Sequence, residues 1–257
     1  MTSRSTETRD RKKGTVAEIF DENLCAELFD LLWGRERTVM PTVVDHAYEE
    51  LWKRVIMIGG SKEQRLSDVT LSEQLGISRT PVRQALERLV QEGLARSDPR
   101  RGFWTRTYTA RDIHEIYELR GALEVLAVRL AAPRLSQKAL KEQLDDLYAV
   151  RAVLETHPVL RFLQIDLRFH IFITHASNNG RLIHSLALLR SQLSMFQMQD
   201  TYYPQRMEIA LNDHERILQA LFAGNIDAAA EQLAAHIRHA MSGVLADIFL
   251  ERKEELP

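Results

Sequence analysis

The chain has 257 residues, of which 45% are hydrophobic and 27% charged, enough for one large domain or two modest ones, each with its own core. No run of about 18 apolar residues and no basic leader running into an apolar stretch is found, so a cytoplasmic protein without a membrane span is expected. Cys25 is the only cysteine, which excludes an internal disulfide and a thiolate metal cluster, and a formal charge of -2 conceals a basic segment at 78–106 with seven Arg against three acids.

Residues 1–14 are polar and charged and are expected to be disordered. Val16, Ile19, Phe20, Leu24, Leu28 and Leu31 then recur at helical spacing up to Gly34, closing an N-terminal extension of 1–42. A second helix is expected over 43–60, with Ala47, Leu51 and Val55 on one face. TLSEQLGISRTPVRQALERLVQEG follows as two short helices. Thr70 with Glu73 is expected to cap the first and Gly76 to end it; Ser78 caps the second, with Pro81 in its first turn. LARSDPRRGFWTRTY then reads as two strands around a polar turn.

Two helices, a tight turn and a two-stranded wing predict a winged helix-turn-helix over 43–108, a module that lays its second helix in the major groove of DNA. On that helix Arg79 and Arg83 share a face, and a guanidinium matches both phosphate oxygens and the O6/N7 edge of guanine. Arg100, Arg101 and Gly102 fall at the wing tip.

From Thr109 onward every periodicity is helical, with breaks at Pro133, Pro158, Asn178-Asn179-Gly180, Pro204 and Gly224-Asn225. The expected fold is therefore mainly α: the winged helix, then an all-α bundle of about six helices over 109–257. Its segment VLRFLQIDLRFHIFITHA, residues 159–176, sets Asp166 and His170 in the apolar stripe beside Phe162, Phe169 and Ile173. His214, preceding Ile217, Leu218 and Leu221, and His236, between Leu233 and Ala240, also face inward. Each alone reads as a hydrogen-bonded core residue, but three imidazoles and one carboxylate on facing stripes are a ligand set for a divalent transition metal such as Zn, Ni or Mn. His239 points off its stripe and is expected at the surface, and Glu208, Asp213 and Glu215 are read as lying at helix beginnings or on wet faces.

LSEQLGISRTPVRQALERLVQEGL with RRGFW resembles the signature of GntR-type bacterial transcription regulators, and YELRGALEVLAVRLAA resembles the start of the all-helical (FCD) effector domain of their FadR-like subgroup. The resemblance implies a homodimer on a palindromic double-stranded DNA operator, contacted by the start of the second helix (Ser78, Arg79, Thr80, Arg83) and by the wing (Arg101, Gly102). It also implies a metal held by Asp166, His170, His214 and His236. A small organic acid would complete that metal's coordination, with Arg120 as its clamp; Asn179, before Gly180, is read chiefly as a helix break and only secondarily as a pocket residue. Arg120 reads equally as the partner of Glu124 one turn on. The chain departs from the family at GGSKEQRL, where a Pro-Gly turn is usual, and at Val69, where many members carry Arg. The expected function is a metal-dependent, carboxylate-responsive regulator, a repressor by the family's commoner habit and not an enzyme. The alternatives are a metalloenzyme tethered to DNA and a dimerising bundle with a purely structural metal.

Overall fold

The computed structural model describes residues 26, 27, 29, 30, 41–60, 63–153, 158–200 and 204–254. The expected disorder of 1–14 lies outside these, as does most of the following helix, of which 26, 27, 29 and 30 are helical. Phe29 is buried, with its ring against Tyr48 at 5.9 Å and Trp52 at 5.4 Å.

Helix α1 (Val43–Ile58) opens with a capping box in which Thr42 and Asp45 satisfy each other's backbone, and Gly59 ends it. Strand β1 (Arg65–Leu66) leads into α2 (Asp68–Leu75). The cap of α2 is Ser67, whose hydroxyl accepts the Thr70 backbone N–H at 3.3 Å, so the expected Thr70 cap is one turn too late. Gly76 at φ 65° makes the left-handed turn into α3 (Arg79–Gln91), capped in backbone geometry by Ser78 without a side-chain bond. Strands β2 (Ala95–Asp98) and β3 (Gly102–Thr105) form the wing. β1 adds a third strand that the sequence reading missed, in the antiparallel order β1-β3-β2 with Arg65 opposite Trp104. Val82, Leu86 and Leu89 of α3 pack beneath α1 with 0% exposure.

Six helices follow: α4 (Ala110–Ala131), α5 (Gln137–Val153), α6 (Pro158–Ala176), α7 (Gly180–Asp200), α8 (Pro204–Phe222) and α9 (Ile226–Glu254). A Thr109–Asp112 capping box starts α4, and Asn179 caps α7 by accepting the Arg181 and Leu182 N–H groups. α4 packs on α6 and α9, and α8 on α9 and α5, enclosing the bundle core.

The winged helix is bound to this bundle through α7. Glu92, just past α3, is buried and accepts hydrogen bonds from Tyr48 Oη at 2.6 Å and Ser191 Oγ at 2.7 Å. Trp52 Nε1 donates to Ser191 Oγ, Gln192 donates to the Glu92 carbonyl, and Tyr108 stands edge-on to Phe196 at 4.9 Å. Burial pushes the Tyr48 hydroxyl's pKa far up, reinforced by the Glu92 carboxylate, so Tyr48 stays a donor. Glu92→Ala would remove the buried acceptor that Tyr48 and Ser191 share, at a cost of about 1–3 kcal/mol. A clear drop in melting temperature is the expected outcome, with Glu92→Gln retaining much of the loss.

Candidate metal centre

Asp166 and His170 stand one turn apart on α6, His214 in the middle of α8 and His236 in the middle of α9, all buried. The apolar stripes of three helices turn these side chains inward, and one ligand atom from each lies within 4.8 Å of all the others. His236 Nε2 is 3.3 Å from both His214 Nε2 and His170 Nε2, and Asp166 Oδ1 is 3.4 Å from His214 Nε2 and 3.8 Å from His170 Nε2. Ligands about 2.0–2.1 Å from one cation in tetrahedral array stand roughly 3.3 Å apart, so these spacings fit such a centre. Phe169 stacks on His214 at 4.0 Å and fixes its ring.

A second layer of charge holds the rings. Glu124 Oε2 accepts a hydrogen bond from His170 Nδ1 at 2.5 Å, and its Oε1 accepts one from Arg120 Nε at 2.7 Å. That tautomer, assigned from the hydrogen-bond network, leaves the His170 Nε2 lone pair facing the cluster, where Arg120 Nη2 donates to it at 2.9 Å. A cation and Arg120 therefore compete for one lone pair. Burial would raise the Glu124 pKa, but the Arg120 guanidinium and the hydrogen bonds from His170 and Arg120 outweigh it and hold the carboxyl ionised. Arg120 pairs with Glu124, one of its two readings, and it also lines the cavity beside the cluster.

Asp213 is buried, which corrects its expected place on a wet face. Its Oδ2 accepts from His239 Nδ1 at 2.8 Å and stands 3.6 Å from His236 Nδ1, just beyond hydrogen-bond length. His239 is exposed as expected, yet tied to this inner carboxylate. The Nδ1 atoms of His214 and His236 are buried without a hydrogen-bond partner among the described residues. Such rings resist charging: burial lowers the pKa of both, with His236 and His170 adding to the effect on His214 and Asp213 partly opposing it on His236. Neutral imidazoles are what a metal requires.

Next to the cluster a cavity of about 40 Å³ is walled by Arg120, His170 and Thr174 and, from α7, Leu186, Arg190 and Ser194. Arg190 is a second guanidinium that the sequence reading did not single out. Asn179 lies elsewhere, in an open groove of about 620 Å³ with Arg134, Arg181 and His184. On the other domain Ser78, Arg79, Thr80, Arg83, Arg101 and Gly102 are all exposed. Arg79 leans on Asp68 at 2.9 Å, and Arg83 lies over the Phe103 ring at 5.8 Å. Asp98 Oδ1 accepts the Arg100 and Arg101 N–H groups, bending the wing tip, and Gly102 supplies the φ of 80° that the tip needs.

The family model for bacterial regulatory proteins of the gntR family matches residues 44–104, and that for the FCD domain matches residues 115–239. The uncharacterized HTH-type transcriptional regulator YdhC of Bacillus subtilis is 29% identical over 75% of this chain and 86% of its own length. The Nta operon transcriptional regulator of Aminobacter aminovorans is also 29% identical, over 71% and 85%. Among solved structures, that of Escherichia coli McbR/YncC superposes with a TM-score of 0.65 at 25% identity, covering 83% of this chain and all of that one.

The depressed imidazole pKa values give the cation-free protein a defined pH response. Below about 6.5 the unfolded chain takes up protons that folded His214 and His236 refuse. Their contribution is complete above that pH and is lost as pH falls toward their folded values. Melting of chelator-treated protein is expected to be flat from pH 8 to about 7 and to fall steadily toward pH 5; an unchanged melting temperature would contradict the buried, neutral state of these rings.

Proposed function

Because the chain belongs to the gntR family of bacterial regulatory proteins and carries an FCD domain behind its winged helix, it is a DNA-binding transcription regulator and not an enzyme, and we propose that its input is a small carboxylate bound at a metal centre. The observation carrying this reading is the convergence of four buried ligand atoms beside a cavity walled by two guanidiniums. Asp166, His170, His214 and His236 hold a divalent transition metal (Zn, Ni or Mn), with Glu124 and Asp213 orienting His170 and His236. When bound there, the metal supplies a Lewis-acidic centre for a carboxylate oxygen. Arg120 and Arg190 stand where they can neutralise the rest of such an anion. Asn179 enters this reading only as a helix cap.

Residues 43–108 serve as the DNA reader and 109–257 as the sensor. In a homodimer, two α3 helices enter successive major grooves of a palindromic operator. There Ser78, Arg79, Thr80 and Arg83 meet bases and phosphates, while Arg101 and Gly102 bring the wing to the backbone. Occupied operator DNA is closed to other proteins, which makes repression the default outcome.

The route from cavity to DNA runs through α7. A cavity of about 40 Å³ is far below the roughly 300 Å³ at which ligand pockets begin, so an organic acid must push its walls apart. Leu186, Arg190 and Ser194 form one such wall, and Ser191 and Gln192, on the other face of the same helix, hold Glu92. Filling the cavity thus loads the junction that positions the winged helix. The shift in operator affinity equals the difference in effector affinity between the two arrangements and no more.

The test titrates small carboxylates against metal-loaded protein while following melting temperature and operator binding. At least one acid is expected to change both; a response of neither, with metal present, leaves the metal structural. His214→Ala is expected to lose the metal by elemental analysis. Arg83→Ala should weaken operator binding by about ten- to a hundredfold with metal content and melting unchanged.

A further inference from the structure

The first residue of α3 is Arg79, and electrostatics opposes a cation there. A helix N-terminus is the positive end of the helix dipole, and α3 has no acid in its first turn. What offsets this comes from another helix. Asp68, the first residue of α2, lies where a helix dipole favours a carboxylate, and its Oδ2 accepts a hydrogen bond from Arg79 Nη2 at 2.9 Å. One ion pair thus ties the two helix starts together. The Arg79 hydrogen bond holds the Asp68 carboxyl below the usual carboxylate range, and the Arg83 charge adds to it. The partners differ in exposure: the Asp68 side chain is 20% exposed and that of Arg79 61%. A half-buried acid therefore anchors a guanidinium that stands out from the surface, next to the exposed Ser78, Thr80 and Arg83.

We propose that Asp68 determines base specificity in the DNA reader, as a positioning residue that aims Arg79 at a guanine and keeps it from the phosphates. The proposal rests on the reading of Arg79 as a base-contacting residue given above. Affinity alone argues against an acid in this place. A carboxylate on a DNA-facing surface repels the phosphates of every sequence and offsets a cation that would otherwise displace counterions. Discrimination argues for it. A guanidinium has five N–H donors and Asp68 engages one nitrogen, which leaves enough for the two bonds that the O6/N7 edge of guanine accepts. A long side chain already held has less freedom to lose on docking and less reach toward the backbone on either side. Arg83 supplies the contrast. It lies one turn along the same helix, 63% exposed, and its neighbour Glu87 stands 3.5 Å away on that helix and is 57% exposed. A surface pair of this kind holds its members weakly, so Glu87 does not aim Arg83 as Asp68 aims Arg79. Asp68 thus lowers binding to all DNA alike, while the contact it prepares forms only at guanine, and the ratio between the two rises.

Duplexes enriched from random-sequence DNA by the full parent chain supply the probe. The readout is the dissociation constant for the enriched site, for its single-base variants and for an unselected duplex. Arg79→Ala locates the base that Arg79 reads, as the G·C pair at which the parent's preference of about ten- to a hundredfold disappears. Asp68→Ala is expected to cut the preference at that pair to about threefold or less and to leave the preferences elsewhere in place. It is also expected to tighten binding to the unselected duplex by about two- to tenfold and to steepen its salt dependence, because a released Arg79 neutralises phosphate. Asp68→Glu, which keeps the charge on a longer arm, restores part of the preference. Melting should change little, since the pair is at the surface; Asp68→Asn, closer in shape, keeps the test decisive should Asp68→Ala unfold. An Asp68→Ala chain that weakens on all sequences alike, or that keeps the preference at the Arg79 position, overturns the proposal. So does an Arg79→Ala chain that relaxes no position, and the DNA reader then stands if Arg83→Ala still weakens binding. A parent that enriches no sequence overturns the operator reading of residues 43–108 and the proposal with it.

Discussion

The fold of the bundle depends on holding three imidazole nitrogens within 3.3 Å steps of one another in a dry interior with Asp166 alongside. Polar rings buried without partners cost several kcal/mol, and convergent lone pairs repel. The chain meets this with a ring of fixed charge behind the ligands. Glu124 and Arg120 from α4 brace His170 on α6, and Asp213 from α8 faces His236 on α9. Each brace crosses from one helix to another, so the cluster also sets the positions of α4, α6, α8 and α9. Two Nδ1 atoms remain unpaired among the described residues, and the lowered pKa values keep those rings neutral. The ligand atoms thus converge in a buried site whose one neighbouring positive group, among the contacts described, is the Arg120 guanidinium at His170.

Helix α7 touches both the cavity and the winged helix. It walls the cavity with Leu186, Arg190 and Ser194 and grips the winged helix with Ser191 and Gln192, less than one helical turn away. The junction it meets is polar: Glu92 takes hydrogen bonds from Tyr48 and Ser191, with Trp52 donating to the same hydroxyl. Buried hydrogen bonds in a low-dielectric interior are costly to leave unmade, so this junction fixes the winged helix against α7.

How far this was legible in the sequence depends on how local each signal is. Asp166 and His170 stood out because a carboxylate and an imidazole one turn apart in an oily stripe need a partner, and the same logic picked His214 and His236. It applied equally to Glu124, in the buried stripe of α4 with Arg120, which was noted only as a possible ion pair. Asp213 was misread because Asn212, Glu215 and Arg216 around it look like a wet face; its burial comes from α9 bringing His236 and His239 over it, which no local pattern encodes. Thr70 displaced Ser67 as the expected cap because the two hydroxyls lie three residues apart and both fit the rule. β1, at two residues, is too short for alternation to show. The junction at Glu92 joins residues about 100 apart and was invisible before the fold.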